Sequence, residues 1–204
     1  MSTDPYTYDN GTLRNRLGIT DAEDLVTVEA DLSTQRITEI KTAGLPGVFD
    51  LAHLQLVHHR IFGDVYDWAG ELRTVDISKG SSLFCLARFL PAAAAQVFDD
   101  LHLLRDTLGS DAELPVGLAS WYADLNALHP FREGNGRTQR TFLWLLCESV
   151  GVGLDMSVLS PDGNLAASVA AMNGDSSGFH ATLRIAAGQP VASGDEHWVE
   201  ILTR

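Results

Sequence analysis

Five apolar residues in a row leave one helical segment of this chain without a polar face. They are Phe142-Leu143-Trp144-Leu145-Leu146, in a helix predicted from about Arg137 to Val150. A helix that is apolar on every side is buried in the core of a protein. The rest of the 204-residue chain must therefore provide elements that surround this helix, and that length suffices for a core without disulfides or metals.

Apolar residues at helical spacing predict these surrounding elements as further helices. The first begins at a capping box formed by Thr20 and Glu23 and continues to about Lys41. Glycine and proline residues separate the others, which are predicted over residues 51–62, 91–109 and 115–129 and, split at Asn173-Gly174, over 161–187. The fold class predicted from this pattern is mainly α.

One segment shows the alternation of side chains that is typical of a β-strand. It runs from about Glu71 to Ile77 and is followed by the turn-forming residues Ser78-Lys79-Gly80-Ser81-Ser82 and then by Leu83-Phe84-Cys85. We expect a short β-hairpin between Glu71 and Leu86. Around the helical domain, predicted over residues 20–187, we expect an extended N-terminal arm (1–19) and a peripheral C-terminal segment (188–204).

Charge and cysteine content restrict the partners and the compartment. Asp and Glu number 27 against 14 Lys and Arg, so the formal net charge is −13, which disfavours nucleic acid and anionic membranes as partners. Cys85 and Cys147 have no CxxC partner and are expected to be buried free thiols in a reducing compartment. No secretory leader or apolar run long enough to span a membrane is present, which favours the cytoplasm.

Two stretches without a carboxylate stand out in this acidic chain because they carry cations beside turn-forming residues. They are residues 77–98, with Lys79 and Arg88, and residues 134–147, with Arg137 and Arg140. An acidic protein that lacks acids around its hairpin and around a glycine-rich loop is expected to hold an anion there.

The second stretch begins directly after Glu133, within the string His129-Pro130-Phe131-Arg132-Glu133-Gly134-Asn135-Gly136-Arg137-Thr138-Gln139-Arg140. Gly134 and Gly136 permit positive φ, which predicts a nest of backbone N–H groups immediately before a helix N-terminus. The two arginines, three residues apart, share one helix face at the end where the helix dipole disfavours cations, so they need an anion or a carboxylate nearby.

Two further residues of this string have the chemistry that a phosphate site requires. Glu133 is a candidate ligand for a Mg²⁺ ion bound to nucleotide phosphates, since that ion takes one or two carboxylates together with phosphate oxygens. His129, at the end of the preceding helix, is a candidate general base.

The string resembles the signature of the Fic (filamentation induced by cAMP) family, H-x-F-x-[D/E]-G-N-G-R-x-x-R, at every specified position. The similarity covers about residues 6–187 and extends to four other segments. Tyr8–Gly18 resembles the lead-in of the bacterial toxin branch, and the helix and flap region is resembled by Phe49–Leu54, Val65–Arg73 and Ile77–Gly80. The resemblance implies a compact helical Fic-type fold with one β-hairpin flap beside the active-site loop.

The resemblance also implies transfer of AMP from ATP to a Ser, Thr or Tyr hydroxyl of a target protein. His129 would deprotonate the hydroxyl, Glu133 would hold Mg²⁺, and Phe131 would pin the loop in the core. The phosphate-binding residues would be Gly134, Asn135 and Gly136, as an anion hole, with Arg137 and Arg140 for the β- and γ-phosphates. The flap residues Ser78, Lys79, Gly80 and Phe84 would dock the target by strand addition.

Many family members carry an inhibitory helix, [S/T]-x-x-x-E-[G/N], whose glutamate pairs with the second motif arginine. None of the nine glutamates of this chain has Ser or Thr four residues before it. We therefore expect a separate antitoxin to provide that glutamate to Arg140, with the α-helix over 20–41 as its docking face. Bacterial relatives of the toxin branch often modify type II topoisomerase subunits. The resemblance therefore implies these subunits as the first candidate targets.

The sequence is compatible with other interpretations. UTP, GTP or a phosphocholine nucleotide is an alternative donor, since nothing in the string reads the base. Phosphoryl transfer as in the Doc-like branch is disfavoured because that branch departs from the GNGR pattern, which is intact here. A silent nucleotide-binding module would not need His129, and a metal site of His53, His58 and His59 is weak because adjacent residues cannot share a helix face.

Overall fold

The computed structural model describes residues 4–80, 82–105 and 116–203 of the chain. Within these ranges it has eight α-helices and one two-stranded antiparallel sheet. The helices are α1 Ala22–Ala43, α2 Leu51–Phe62, α3 Leu90–Arg105, α4 Val116–Leu128, α5 Asn135–Ser149, α6 Pro161–Met172, α7 Ser177–Ala186 and α8 His197–Thr203. The predicted mainly α fold class is thereby confirmed, and none of the described helices is long and apolar enough to cross a membrane.

The chain divides into two units. Unit 1 contains Met1–Asp76 and Pro130–Leu145, and unit 2 contains Ile77–His129 and Leu146–Arg204. Unit 1 thus holds α1, α2 and the first eleven residues of α5, whereas unit 2 holds the hairpin and the remaining helices.

The core of unit 1 is built on α2. Its buried face contains Leu54, Val57, Ile61 and Phe62, all fully buried, at the spacing that the sequence predicts. Just beyond α2, the ring of Tyr66 stacks on that of Trp68 with centroids 4.2 Å apart, and Trp68 also meets the edge of Tyr6 at 5.5 Å.

The N-terminal segment belongs to this core. Thr7 and Leu13 form an isolated antiparallel bridge, and Tyr6, Thr7 and Thr12 are buried. Near its start, Asp4 accepts hydrogen bonds from the Arg132 guanidinium at 2.7 and 3.0 Å. The segment predicted as an extended arm is therefore folded onto the loop that carries the signature.

Unit 2 packs aromatic side chains between its helices. Trp121 of α4 meets the edge of Phe98 of α3 and donates from its ring nitrogen to the Val97 carbonyl at 2.9 Å. Tyr122 packs on Phe179 of α7 with centroids 4.6 Å apart. The break predicted at Asn173-Gly174 does separate α6 from α7.

The C-terminal segment, for which the sequence predicts a peripheral position, contains α8. Trp198 and Leu202 of this helix are 5% and 0% exposed. Trp198 donates to the Ser177 hydroxyl at 2.8 Å, and Gly178 lies so close to the Trp198 ring that a Cβ there would approach it to 2.9 Å. Apolar burial therefore attaches this segment to α7.

The hairpin is shorter than the alternation of side chains predicts. Its strands are β1 (Ser78–Lys79) and β2 (Ser82–Leu83), in the register Ser78↔Leu83, and residues 71–77 are not a strand. The backbone there bonds elsewhere: the Arg73 amide donates to the Pro130 carbonyl at 2.9 Å and the Thr74 amide to the Tyr6 hydroxyl at 3.1 Å. These amides are therefore not available for a sheet ladder.

The two cysteines are free thiols, as predicted. Cys147 is fully buried, and burial raises the pKa of its thiol to about 12. Cys85 is only partly buried, and its amide donates to the Ala127 carbonyl at 3.0 Å. The sequence predicts that α3 ends near Gly109 and that α4 begins at Pro115. Both positions lie outside the described residues.

The start of α1 differs from the predicted capping box. The cap is Asp21, whose carboxylate accepts from the amides of Glu23 and Asp24 at 2.9 and 3.1 Å. Thr20 contributes its carbonyl instead, which accepts from the side chains of Asn10 and Thr12. A carboxylate is also the stronger cap at this end of the helix dipole.

We expect Asp21→Ala to lower the free energy of unfolding by about 1 kcal/mol, the usual contribution of an N-cap. Thr20→Ala keeps the carbonyl that the arm uses and should change it by less than about 0.5 kcal/mol. Urea unfolding followed by circular dichroism measures both. A larger loss for Thr20→Ala than for Asp21→Ala would show that the capping box operates after all.

Candidate active site

The side chain of Asn135 holds the signature loop in shape. Its oxygen accepts from the Phe131 amide at 2.9 Å, and its nitrogen donates to the Phe131 carbonyl at 2.8 Å. Phe131 itself is fully buried, as the sequence predicts, and its ring stacks on that of His58 with centroids 3.9 Å apart. The loop is thus closed on itself and anchored to α2.

His58 links this loop to a second segment through both of its ring nitrogens. Nδ1 accepts from the Gly70 amide at 2.7 Å, so the neutral ring carries its proton on Nε2, which donates to the Glu133 carbonyl at 3.0 Å. Burial lowers the pKa of His58 to about 4, against 6.5 ordinarily. With both nitrogens bonded to the backbone, His58 is a structural residue here and not one member of a histidine metal site.

Two features of the structure require a glycine at position 134. Its φ is +78°, in the left-handed region, and a Cβ added there would lie 2.3 Å from the Phe62 ring. Gly136 has no positive φ and belongs to α5, which begins at Asn135. The predicted nest over both glycines is therefore wrong for Gly136, because the helix starts two residues earlier than the sequence pattern indicates.

The early start of α5 nevertheless leaves backbone donors at its N-terminus. The first backbone hydrogen bond of the helix runs from the Thr138 amide to the Gly134 carbonyl at 3.0 Å. The amides of the first turn that precede it have no intrahelical acceptor. Such a helix end attracts anions through its free donors and its dipole.

The two signature arginines have different surroundings within unit 1. Arg137 donates to the Ser33 hydroxyl at 2.9 Å and to the Glu29 carboxylate, and its guanidinium lies 4.7 Å from the centre of the Phe62 ring. Arg140 makes no hydrogen bond or ion pair with any residue that the structure describes. Its Nη1 atom lies 3.1 Å from the Cβ position built on Gly136, so the guanidinium extends along the start of α5.

Glu29 and Ser33 were missed in the sequence, although a signal for them exists. The buried face of α1 contains Leu25, Glu29, Ser33 and Ile40, and the first three of these are four residues apart. Two polar residues therefore occupy positions on the buried stripe of a helix that should be apolar. Such a pair predicts a buried polar partner, which is Arg137.

Glu133 is the single carboxylate of the signature string, and it is exposed. Its side chain is 47% exposed, Oε1 accepts from the Gly134 amide at 2.9 Å, and the same oxygen lies 4.0 Å from Arg137 Nη2. No group of three or more potential metal ligands occurs among the described residues. A single accessible carboxylate is nonetheless compatible with Mg²⁺ that arrives on a nucleotide, because phosphate oxygens and water complete its octahedron.

His129 and the hairpin are both in unit 2. His129 adopts φ 43°, and Nδ1 lies 3.0 Å from the Asn126 carbonyl. Because a carbonyl only accepts, Nδ1 carries the proton in the neutral ring and the lone pair is on Nε2. Phe84 stacks on the imidazole with ring centroids 3.8 Å apart and planes 14° apart.

The structure thus separates the predicted docking residues into two kinds. Ser78, Lys79 and Gly80 are exposed, with Gly80 in the turn at φ 59°, whereas Phe84 is only 8% exposed and packs on His129. Unit 1 brings together Glu133, the residues at the start of α5 and the two arginines. Unit 2 brings together His129 and Phe84.

A helical fold whose signature loop leads into a helix N-terminus defines a Fic-type protein, and comparisons with known proteins agree. The model of the Fic/DOC family matches residues 48–147. Protein adenylyltransferase VbhT of Bartonella schoenbuchensis is 38% identical over 90% of this chain. A protein of Sinorhizobium fredii, named "Probable protein adenylyltransferase y4lH", is 39% identical over 84% of this chain and 89% of its own length. This chain belongs to the Fic/DOC family.

Solved structures support the same fold. The type IV secretion system effector protein BepA superposes with a TM-score of 0.80 at 28% identity, over 89% of this chain and 67% of that one. The N-terminal Fic domain of a VirB-translocated Bep effector from Bartonella quintana, solved with bound ADP, has a TM-score of 0.78 at 24% identity, over 89% and 93%. This chain spans 39% of the length of VbhT.

Alanine at the two loop glycines should have opposite effects on stability. For Gly134→Ala, left-handed backbone strain and the clash with Phe62 should together lower the free energy of unfolding by about 3 kcal/mol. Gly136→Ala has helical φ and displaces only the flexible Arg140 side chain, so we expect no loss and up to about 1 kcal/mol of gain. Urea denaturation of the two variants tests this, and equal losses would contradict the assigned helix start.

His58 predicts a pH dependence of stability. Its pKa is about 4 when folded and 6.5 ordinarily, so the unfolded state takes up the proton first as pH falls. The unfolding free energy should therefore drop between pH 6.5 and pH 4, by about 3 kcal/mol from this residue. His58→Gln should flatten the profile, whereas His102→Gln, at an exposed position on α3, should keep the wild-type slope. An unchanged profile in His58→Gln would contradict this assignment.

Proposed function

We propose that this chain is a protein adenylyltransferase that transfers AMP from ATP to a Ser, Thr or Tyr hydroxyl of a target protein. The relatives named as protein adenylyltransferases, at 36–39% identity, support this activity. The observation that carries it is the tautomer of His129, with Nδ1–H directed to the Asn126 carbonyl. That hydrogen bond puts the lone pair of the neutral ring on Nε2, the nitrogen that a general base would use, and a module that only binds nucleotide does not need a general base.

In the proposed reaction, the target hydroxyl loses its proton to His129 Nε2 as its oxygen attacks the α-phosphorus. The new bond joins that oxygen to phosphorus, and the bond between the α-phosphorus and the bridging oxygen breaks, so diphosphate leaves. We assign the charge of the phosphate oxygens to the amides at the start of α5, at Asn135 and Gly136. Catalysis of this kind depends on position and charge neutralisation more than on covalent chemistry.

The phosphates beyond the α position are assigned to the two arginines. We propose that Arg140, which has no partner among the described residues, binds the γ-phosphate, and that Arg137 contacts the β-phosphate with the donors it does not share with Glu29 and Ser33. An arginine carries five N–H donors, so both duties are compatible.

Magnesium would be held by the Glu133 carboxylate together with the nucleotide phosphates. When bound, the ion neutralises phosphate charge and orients the leaving diphosphate. The accessibility of the Glu133 side chain, 47% exposed, supports this assignment. The ATP co-substrate also favours a cytoplasmic place of action.

We propose that the hairpin docks the target by strand addition. Ser78, Lys79 and Gly80 are exposed and offer backbone groups to an extended peptide. Type II topoisomerase subunits remain the first candidates from family resemblance. Phe84 would hold the His129 ring in place by stacking on it, and would not be an exposed docking residue.

We further propose that the chain is the toxin of a toxin–antitoxin pair. Glu29 pairs with Arg137, while Arg140 has no carboxylate partner in the part of the chain that the structure describes. A small antitoxin that provides a glutamate to Arg140 would block the γ-phosphate position.

Labelled nucleotides test the activity and separate its alternatives. Lysate proteins are incubated with the enzyme and ATP labelled at the α- or the γ-phosphate, and label in protein is measured. We expect label from the α-phosphate only, a loss of about 10²–10⁴-fold in His129→Ala, and a normal rate in His102→Ala as the matched control.

The other outcomes are equally informative. Label from the γ-phosphate only would identify phosphoryl transfer, as in the Doc-like branch. Label from UTP, GTP or a phosphocholine nucleotide in place of ATP would change the donor. No label from any nucleotide would leave a silent binding module.

Glu133→Ala should abolish Mg²⁺-dependent transfer and keep the fold, and a normal rate in that variant would remove the metal role.

A further inference from the structure

We propose that Glu29 is a positioning residue for Arg137, fixed in turn by Tyr66. The inference rests on the proposed function, because it assigns Glu29 the task of holding the arginine that contacts the nucleotide phosphate. Glu29 lies on α1, more than one hundred positions before Arg137 in the chain, and no part of the signature includes it.

The contacts define the orientation of the guanidinium. Arg137 Nη2 donates to Glu29 Oε1, and Nη1 donates to the Ser33 hydroxyl at 2.9 Å. The Ser33 hydroxyl donates its own proton to the Ala30 carbonyl at 3.1 Å and therefore accepts from Arg137. Together with the Phe62 ring, which lies 4.7 Å from the guanidinium carbon, these partners fix both terminal nitrogens.

Glu29 is itself held from its other side. Its second oxygen, Oε2, accepts from the Tyr66 hydroxyl, and Tyr66 is 1% exposed and stacked on Trp68. Burial, and then the hydrogen bond to Glu29, raise the pKa of Tyr66, so the phenol remains a donor. Both carboxylate oxygens are thus engaged, and the carboxylate does not depend on solvent for its hydrogen bonds.

Charge explains why such a support is needed. Arg137 lies in the first turn of α5, where the helix dipole repels a cation. The Glu29 side chain is 10% exposed, and a carboxylate this buried needs a cationic partner. Each group therefore offsets what is unfavourable about the other. The arginine arrives pre-oriented at the helix end, so nucleotide binding need not order it.

The experiment compares nucleotides that have the β-phosphate, which Arg137 is assigned to contact, with one that lacks it. Calorimetry measures the affinity of the full chain for ATP, ADP and AMP. We expect Glu29→Gln to weaken ATP and ADP about tenfold and to leave AMP unchanged, since a charge-assisted hydrogen bond is worth at least that much. Tyr66→Phe should also weaken the binding of ATP and ADP and leave that of AMP unchanged, with a smaller effect than Glu29→Gln. Glu23→Gln, at an exposed position on the same helix, is the matched control.

Two results would overturn the inference. An equal loss for AMP and ATP would show that Glu29 supports only the fold. A further loss on adding Glu29→Gln to an Arg137→Gln background would show that Glu29 does not act through Arg137. If Glu29→Gln does not fold, the same comparison is made with Tyr66→Phe, whose unchanged ratio of ATP to AMP affinity would also overturn it.

Binding and transfer are measured separately, so the two proposals can fail independently. Normal discrimination between ATP and AMP in Glu29→Gln, with transfer intact in the wild type, removes the role of Glu29 alone. Absence of AMP transfer by a wild type that binds ATP removes the proposed activity, and the positioning of Arg137 stands.

Discussion

The stack of Phe131 on His58 is the interaction on which unit 1 depends most. Its rings lie 3.9 Å apart, both residues are fully buried, and both nitrogens of the imidazole are bonded to backbone groups. One of these groups is the Glu133 carbonyl, immediately before Gly134. The stack therefore fixes the loop at the residue from which the chain turns into α5, and the donors of the helix end follow from it.

The two signature arginines differ in their electrostatic surroundings. In a chain of net charge −13, a carboxylate near every cation would be easy to supply, yet of Arg137 and Arg140 only Arg137 has one among the described residues. Its partner is buried and comes from α1. Arg140 lacks such a partner, and it is the arginine to which an incoming phosphate, or an antitoxin glutamate, adds most. Among the described residues, α5 thus carries one arginine whose charge is neutralised, Arg137, and three residues later one whose charge is not, Arg140.

Local patterns predicted most of the secondary structure because they act over a few residues. The apolar stripe of α2, its end at Gly63 and the separation of α6 from α7 follow from helical spacing and from glycine. Elements whose partners are distant were predicted less well. The strand expected before Ser78 is absent, since Tyr6 and Pro130 take up the amides of Thr74 and Arg73. The cap of α1 shifted by one residue because the Thr20 carbonyl is tied to the arm.

The sequence by itself determined the family, the identity of the loop residues and their contiguous order from His129 to Arg140, because that chemistry is written in one uninterrupted string. The tertiary structure alone decided which ring nitrogen of His129 carries the proton and where α5 begins. It also decided that Glu29 and Ser33 bind Arg137 and that Tyr66 binds Glu29. These features come from residues brought together across α1, α2 and the loop, or from a carbonyl placed by a helix end. Hydrogen bonds and burial of that kind depend on distances in space, which spacing along the chain does not contain.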